Sequence, residues 1–211
     1  MRIPFLFLVL AGMVFLSERA DARQVSVGTS VGEAGLRDFY FAVGDYFKVT
    51  EREVTFISER TIPNEEVPVV LFIGARARVA SSAVIDLRLD GRSWMDITFH
   101  FKLNPEIYYM PVQVEVKGWS YGKPYGYYRN RHRKDWGKIV LSNPEIINLV
   151  NLRFISEYHQ VPPEEVIKMR EWGKSFIVIN DEVKKGKAKE KEKGPKENDK
   201  GEGKGKGKGN K

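Results

Sequence analysis

Residues 79–97 read V-A-S-S-A-V-I-D-L-R-L-D-G-R-S-W-M-D-I. It recurs 82 residues later, at 161–179, as V-P-P-E-E-V-I-K-M-R-E-W-G-K-S-F-I-V-I. Seven of the 19 aligned positions are identical, and the repeat predicts two copies of one supersecondary unit around a shared core. The residues that define the repeat are Val84, Arg88, Gly91, Ser93, Trp94 and Ile97 in the first copy and Val166, Arg170, Gly173, Ser175, Phe176 and Ile179 in the second.

Each copy predicts a helix, a glycine turn and a second, capped helix. Val84 and Leu87 lie three residues apart, as on one face of a helix. Gly91 falls where that helix should end, because glycine adopts the left-handed C′ conformation without a steric cost. Ser93 is placed to cap the next helix, with Asp96 completing a capping box. The repeated arginine suits bracing of the turn better than ligand binding, and the repeated aromatic suits core packing.

The repeat extends beyond these two windows. A weaker third copy lies thirty residues before the first, with Pro63 in the place of the serine. The segments 64–78 and 144–158 are each predicted to be a buried helix that precedes a strong copy. The sequence therefore predicts a mainly α fold.

The first 22 residues are predicted to be a secretory signal peptide. Arg2 precedes an apolar run at 3–16, and Ala20-Asp21-Ala22 is a small-x-small cleavage site. The mature chain should be exported, periplasmic or secreted, after cleavage near Ala22, and no later stretch predicts a transmembrane span. The absence of cysteine means that a core outside the cytoplasm is stabilised by packing alone.

Between the signal peptide and the tail, the chain is predicted to form an N-terminal extension and a repeat domain with an insertion. Residues 23–48 form an N-terminal extension in which 24–31 and 39–43 suit short strands. Residues 49–183 form the helical repeat domain, which contains an insertion at 104–142. In the insertion, residues 112–116 alternate like a strand that could pair with 139–141, and the tip at 118–136 is predicted to be an exposed loop or hairpin that excludes a helix.

Charge is concentrated in two places. The tail, residues 184–211, contains twelve lysines and five acidic residues, and its low-complexity composition predicts disorder. Residues 117–138 contain seven basic residues and one acidic residue, whereas the chain before the tail is neutral overall.

The tip of the insertion is the candidate binding segment, because aromatic and cationic residues alternate along it. Sugar rings, anionic polymers, lipid headgroups and single-stranded nucleic acid all bind to such surfaces. In the alternative interpretation, the tyrosines fold back on the helical body and the arginines pair with its acidic residues. The candidate residues are Trp119, Tyr121, Lys123, Tyr125, Tyr127, Tyr128, Arg129, Arg131, Arg133, Lys134 and Trp136.

Catalytic, metal and cofactor motifs are not found in the sequence. The three histidines, at 100, 132 and 159, have no metal-binding spacing, and no nucleophile is paired with a plausible base. The carboxylate pairs fall on predicted helix surfaces and helix starts. We therefore expect no catalytic residue, no metal and no cofactor.

The motif V-x4-V-I-x-[LM]-R-x2-G-[RK]-S-[WF]-x2-I, together with Y-G-K-P-Y-G-Y-Y at 121–128, resembles a group of exported bacterial proteins of unknown function. The resemblance covers roughly residues 43–185. It implies export, and it implies no particular activity or ligand.

Two functional hypotheses follow. In the first, a non-enzymatic envelope or secreted protein presents the aromatic-basic tip and the cationic tail to an anionic envelope polymer or membrane surface. In the second, the helical repeats bind a protein partner. Nucleic-acid binding is less favoured, although paired short helices superficially resemble helix-turn-helix units, because export would separate the protein from intracellular nucleic acid. An unrecognised enzyme is the remaining alternative.

Overall fold

A computed structural model describes residues 32–192, and within them the chain is helical and contains no β-strand. The mainly α prediction is confirmed, and its minor β component is not observed in this part of the chain. The α-helices are α1 (Glu33–Phe47), α2 (Glu51–Ser58), α3 (Val67–Ala77), α4 (Ser81–Leu89), α5 (Trp94–His100), α6 (Gly122–Arg129), α7 (Asn143–His159), α8 (Pro163–Glu171) and α9 (Phe176–Glu192). Short 3-10 helices occupy Asn64–Glu66, Pro105–Tyr108 and Arg133–Lys138.

The two strong copies are α4 with α5 and α8 with α9, and they adopt the predicted conformation. Gly91 and Gly173 end the first helix of each copy with φ of 84° and 82°. Ser93 and Asp96 form a capping box at the start of α5, and Ser175 accepts the Val178 amide at 3.3 Å in α9. The same local hydrogen bonds therefore start and stop both copies.

The third copy is also present, as α2 and the 3-10 helix that leads into α3, and α1 precedes it as α3 and α7 precede the strong copies. The residues that follow α1, α3 and α7 are Lys48, Arg78 and Gln160, and all three have left-handed backbones with φ between 52° and 58°. Thr61, with φ of 62°, occupies the position that glycine takes in the strong copies. Threonine can adopt this left-handed backbone and so keep the turn, but its Cβ atom then makes a steric contact that glycine would not make.

Two central helices form the core. Most of α3 is buried, and it packs against α1, α4 and α7, while α7 also contacts α8 and α9. The chain closes on itself because α1 contacts α9, where Lys184 Nζ lies 2.8 Å from Asp38 Oδ2. None of the helices in residues 32–192 has both the length and the apolar character needed to cross a bilayer.

The predicted strands within the described residues are wrong. Residues 39–43 lie inside α1, where Phe39 and Val43 are buried one helical turn apart. The backbone N–H of Gln113 donates to Glu164 Oε1 at 2.7 Å instead of to a partner strand. Ile139 and Leu141 are both buried in the helical core, so burial and not strand pairing explains their apolar character. The possible strand at 24–31 lies outside the described residues.

The tip at 118–136 was predicted to exclude a helix, and that prediction is wrong as well. It contains α6 and continues into the 3-10 helix Arg133–Lys138. Pro124 is tolerated because it lies in the first turn of α6, where backbone N–H groups have no partner within the helix. Tyr125 and Tyr128 are buried three residues apart, and this burial stabilises the short helix.

Helix α9 continues past the predicted start of the tail at 184 and ends at Glu192. Within this extension, Lys185 pairs with Asp181 one turn earlier at 2.6 Å. The rest of the predicted tail and the predicted signal peptide at 1–22 lie outside the described residues.

Candidate binding groove

Three tyrosines of the predicted binding segment are buried in the core. They are Tyr121, Tyr125 and Tyr128. Their hydroxyls donate to the backbone carbonyls of Asn148, Met110 and Pro105 at 3.3, 2.7 and 2.8 Å respectively. Burial raises the pKa of all three phenols above its ordinary value. These rings therefore stabilise the insertion and are not available to a ligand.

Two further aromatic residues of the segment, Tyr127 and Trp136, are half-buried. Trp136 Nε1 donates to the carbonyls of Tyr128 and Arg131 at 3.1 and 3.2 Å. Its ring centroid lies 4.7 Å from that of Tyr109. Trp136 therefore closes the insertion on its own backbone.

Most cations of the segment have carboxylate partners. Arg129 lies 2.9 Å from Glu115, Arg133 pairs with Glu106, and Lys123 lies 3.8 Å from Glu145. Lys117 and Arg129 together lower the pKa of the Glu115 carboxyl. Arg131 donates to the Lys138 carbonyl at 3.4 Å, and Lys134 is exposed without a carboxylate partner among residues 32–192. The structure therefore matches the alternative in which the segment folds back.

Trp119 differs from the other aromatic residues of the segment because 59% of its surface is exposed. Its backbone is fixed by α8, since Glu171 accepts the amides of Trp119 and Ser120 at 3.2 and 2.9 Å. A Cβ atom at Gly118 would lie 2.6 Å from that carboxylate, so glycine is needed for this approach. The Trp119 side chain is therefore exposed to solvent, while its backbone is hydrogen-bonded to α8.

A second exposed tryptophan lines the same groove. Trp172, which is 63% exposed, follows Glu171 at the end of α8. Together Trp119 and Trp172 line a groove of about 700 Å³. The other lining residues are Pro63, Asn64, Glu65, Glu66, Pro144, Ile147, Asn148, Arg170, Gly173, Ser175 and Ile177. We call this site the tryptophan groove.

The tryptophan groove lies between the third copy, α7, the second copy and the insertion. Glu65 comes from the third copy, Asn148 from α7, Arg170 and Trp172 from the second copy, and Trp119 from the insertion. Sequence reasoning identified Trp119 but missed Trp172. The available signal was a tryptophan next to the turn glycine, at the position where the first copy has Asp90.

The repeated arginines brace their turns as expected. Arg88 and Arg170 each donate Nη1 to the carbonyl four residues later, at 3.0 and 2.9 Å. Their guanidinium carbons lie 4.8 Å from the Trp94 ring and 4.5 Å from the Phe176 ring. Each arginine thus ties the glycine turn to the first residue of the next helix.

The carboxylates that line the groove are engaged in structural contacts. Glu65 Oε1 accepts the Phe176 amide at the start of α9, at 2.5 Å. Glu66 accepts two hydrogen bonds from Arg88 at 2.9 and 3.1 Å. Among residues 32–192, no three histidine or acidic side chains cluster in a way that could hold a metal.

No protein-family model, no curated protein and no solved structure matches this chain. The groove is therefore interpreted from its own residues.

Proposed function

We propose that this is an exported, non-enzymatic protein that binds a polymer of the cell envelope in the tryptophan groove. The observation that carries the proposal is the exposure of Trp119 and Trp172 in one groove. Large apolar side chains that remain in solvent next to each other typically mark a binding site. Glu171 binds the Trp119 amide and Trp172 ends α8, so both backbones are tied to the same helix and binding would require little reorganisation.

The chemistry of the groove fits a chain of sugar rings. An indole face stacks on the apolar face of a ring, and polar side chains bind the hydroxyls at its edge. Asn64, Ser175 and Arg170 supply such polar groups beside the two tryptophans, whereas Asn148 is buried and its amide is bonded to Ser120 and Arg170. A groove suits a linear polymer better than it suits the flat surface of a membrane.

The basic regions contribute attraction rather than specificity. Most cations of the insertion are paired with carboxylates, whereas the tail from 184 has a net charge of +7. Each lysine near an anionic surface contributes about 1 kcal/mol, and salt weakens this attraction. The tail would therefore raise the concentration of the protein near an acidic polymer.

Binding of protein partners through the repeats is the second candidate. Leu89 and Phe99, on α4 and α5 of the first copy, are both exposed apolar residues. A partner that contacts them should be lost in a Leu89→Ser/Phe99→Ser variant and should be retained when both groove tryptophans are replaced.

The proposal is tested by co-sedimentation of the mature protein with insoluble envelope glycan. Stacking of a nucleobase on an aromatic side chain contributes about 1–3 kcal/mol, and for a sugar ring, which has no π-face, we expect about 1 kcal/mol per tryptophan. Replacing both Trp119 and Trp172 by alanine should therefore weaken binding by about tenfold or more. Phe41→Ala is the matched control, because Phe41 is an exposed aromatic residue on α1 that does not line the groove. Equal sedimentation of the double variant and the wild type would exclude the groove as the binding site.

A further inference from the structure

The two strong copies differ in one contact that lies at the tryptophan groove. In the first copy, Arg88 Nε and Nη2 donate to the two carboxylate oxygens of Glu66, at 2.9 and 3.1 Å. Its Nη1 donates to the Arg92 carbonyl at 3.0 Å. A bidentate pair of this kind satisfies both the charge and the fork-shaped geometry of a guanidinium group.

In the second copy, Arg170 has no carboxylate that accepts two hydrogen bonds from its guanidinium group. The repeat offset of 82 places Asn148 at the position of Glu66, and Arg170 Nε donates to Asn148 Oδ1 at 3.2 Å. Arg170 Nη1 donates to the Lys174 carbonyl as in the first copy. Nη2 makes no hydrogen bond within residues 32–192, and its only charge contact there is a long ion pair with Glu65 Oε2 at 3.8 Å. The position that Glu66 fills for Arg88 is left to a neutral amide.

The charge around this guanidinium group favours an anion. Lys168 and Lys174 place their ammonium groups 5.0 and 5.7 Å from the Trp172 ring. Three carboxylates lie nearby, and each has a partner of its own. Glu66 is paired with Arg88, Glu171 accepts the backbone amides of Trp119 and Ser120, and Glu65 accepts the Phe176 amide at the N-terminus of α9. Lys174 also pairs with Glu182 at 2.5 Å, which leaves Lys168 and Arg170 as the main sources of positive potential.

We propose that Arg170 Nη2 binds a carboxylate of the ligand, so that the tryptophan groove recognises an acidic glycan. This inference rests on the proposed function and adds the ligand class to it. A uronic acid unit provides both features in one monomer, because its ring stacks on an indole face while its carboxylate projects from the ring edge. Arg170 lies next to Trp119, with Cζ 5.9 Å from the ring centroid, so both contacts are available to one sugar unit.

The test compares an oligogalacturonate with the same oligomer after reduction of its carboxyl groups to alcohols, by calorimetry on the mature protein at low salt. The wild type should bind the acidic oligomer about tenfold more tightly than the reduced one. Asn148→Asp restores the carboxylate of the first copy, so it should abolish this preference and leave the affinity for the reduced oligomer unchanged. Asn130→Asp adds the same charge to an exposed site outside the groove and should keep the preference.

Asn148→Asp removes one hydrogen bond, from Asn148 Nδ2 to the Ser120 carbonyl at 3.2 Å. It is preferred to replacement of Arg170, which braces its turn and covers the Phe176 ring. An unchanged melting temperature shows that the variant is folded.

The possible outcomes separate this inference from the proposed function. Equal affinity of the wild type for both oligomers, with loss of binding in the double tryptophan variant, would overturn the inference and retain the groove. A persistent acidic preference in Asn148→Asp would exclude Arg170 as the receptor. Equally tight binding of a ring-free polyol phosphate would exclude an acidic glycan as the preferred ligand. Failure of both oligomers to bind would overturn the assigned ligand class.

Discussion

Replacement of Trp94 tests how the repeat packs, because the second copy contains a phenylalanine at the same position. Trp94 is fully buried under the Arg88 guanidinium group, as Phe176 is under Arg170. Its Nε1, however, is buried and has no hydrogen-bond partner among residues 32–192. We therefore expect Trp94→Phe to be tolerated and Trp94→Ala to be severely destabilising.

The magnitudes follow from burial. Truncation of a buried tryptophan to alanine costs about 3–5 kcal/mol, because apolar contact is lost and a cavity remains. Replacement by phenylalanine removes two ring carbons, which costs about 1.5 kcal/mol at roughly 0.8 kcal/mol per buried carbon. It also removes an unpaired N–H group whose burial costs about 1–3 kcal/mol. The two effects nearly cancel, so the net change should be within about 1 kcal/mol of the wild type.

Urea denaturation followed by far-UV circular dichroism measures both variants, and Phe176→Ala serves as the matched truncation in the second copy. If Trp94→Phe lost as much stability as Trp94→Ala, the indole N–H would have a partner, and the assignment of an unsatisfied donor would be wrong. A loss below about 1 kcal/mol for Trp94→Ala would show that the residue is not part of the core.

Three further predictions concern the turns and the titrating groups. Thr61 and Gly173 both have a positive φ, which costs free energy for a residue with a Cβ atom and not for glycine. Thr61→Gly should therefore stabilise the protein by about 0.5–1 kcal/mol, and Gly173→Ala should destabilise it by a similar amount, as measured by denaturation midpoints. Burial lowers the pKa of His159 below 6.5, so the unfolded chain binds a proton at this residue more tightly than the folded chain does. The melting temperature should therefore fall as the pH drops through 6.5, and His159→Gln should reduce this dependence. Burial raises the phenol pKa of Tyr121 and Tyr128 above 10.0, so stability should fall as the pH rises through about 10, with unfolding and phenolate absorbance appearing together.

The helical repeat was predictable because its signals are local. The turn glycines and Ser93 act within one or two helical turns of their own position, and the structure reproduces their conformations. The third copy was harder to recognise, because Thr61 replaces the turn glycine while the backbone keeps the same left-handed conformation.

The insertion was less predictable because its structure depends on distant partners. Residues 112–116 alternate like a strand, but Glu164 on α8 binds the Gln113 amide from 51 residues away. Alternation in sequence indicates that a segment has two faces, and it cannot show which element covers each face.

The candidate site was predictable only in part. The composition of residues 118–136 suggested an exposed aromatic surface, but of its tyrosines and tryptophans only Trp119 is largely exposed. Tyr121 and Tyr128 have the same local composition around them and are buried. Residue type alone could not separate a ring that binds a ligand from a ring that packs in the core.

By itself, the sequence determined the duplicated helical units of this protein, because helix stops and caps are contacts between residues close together in the chain. Only the tertiary structure decided that Trp119 and Trp172 share a groove and that Asn148 stands beside Arg170 where Glu66 stands beside Arg88. These relations join segments 22 to 53 residues apart in the chain, and they arise from packing of the whole helical body.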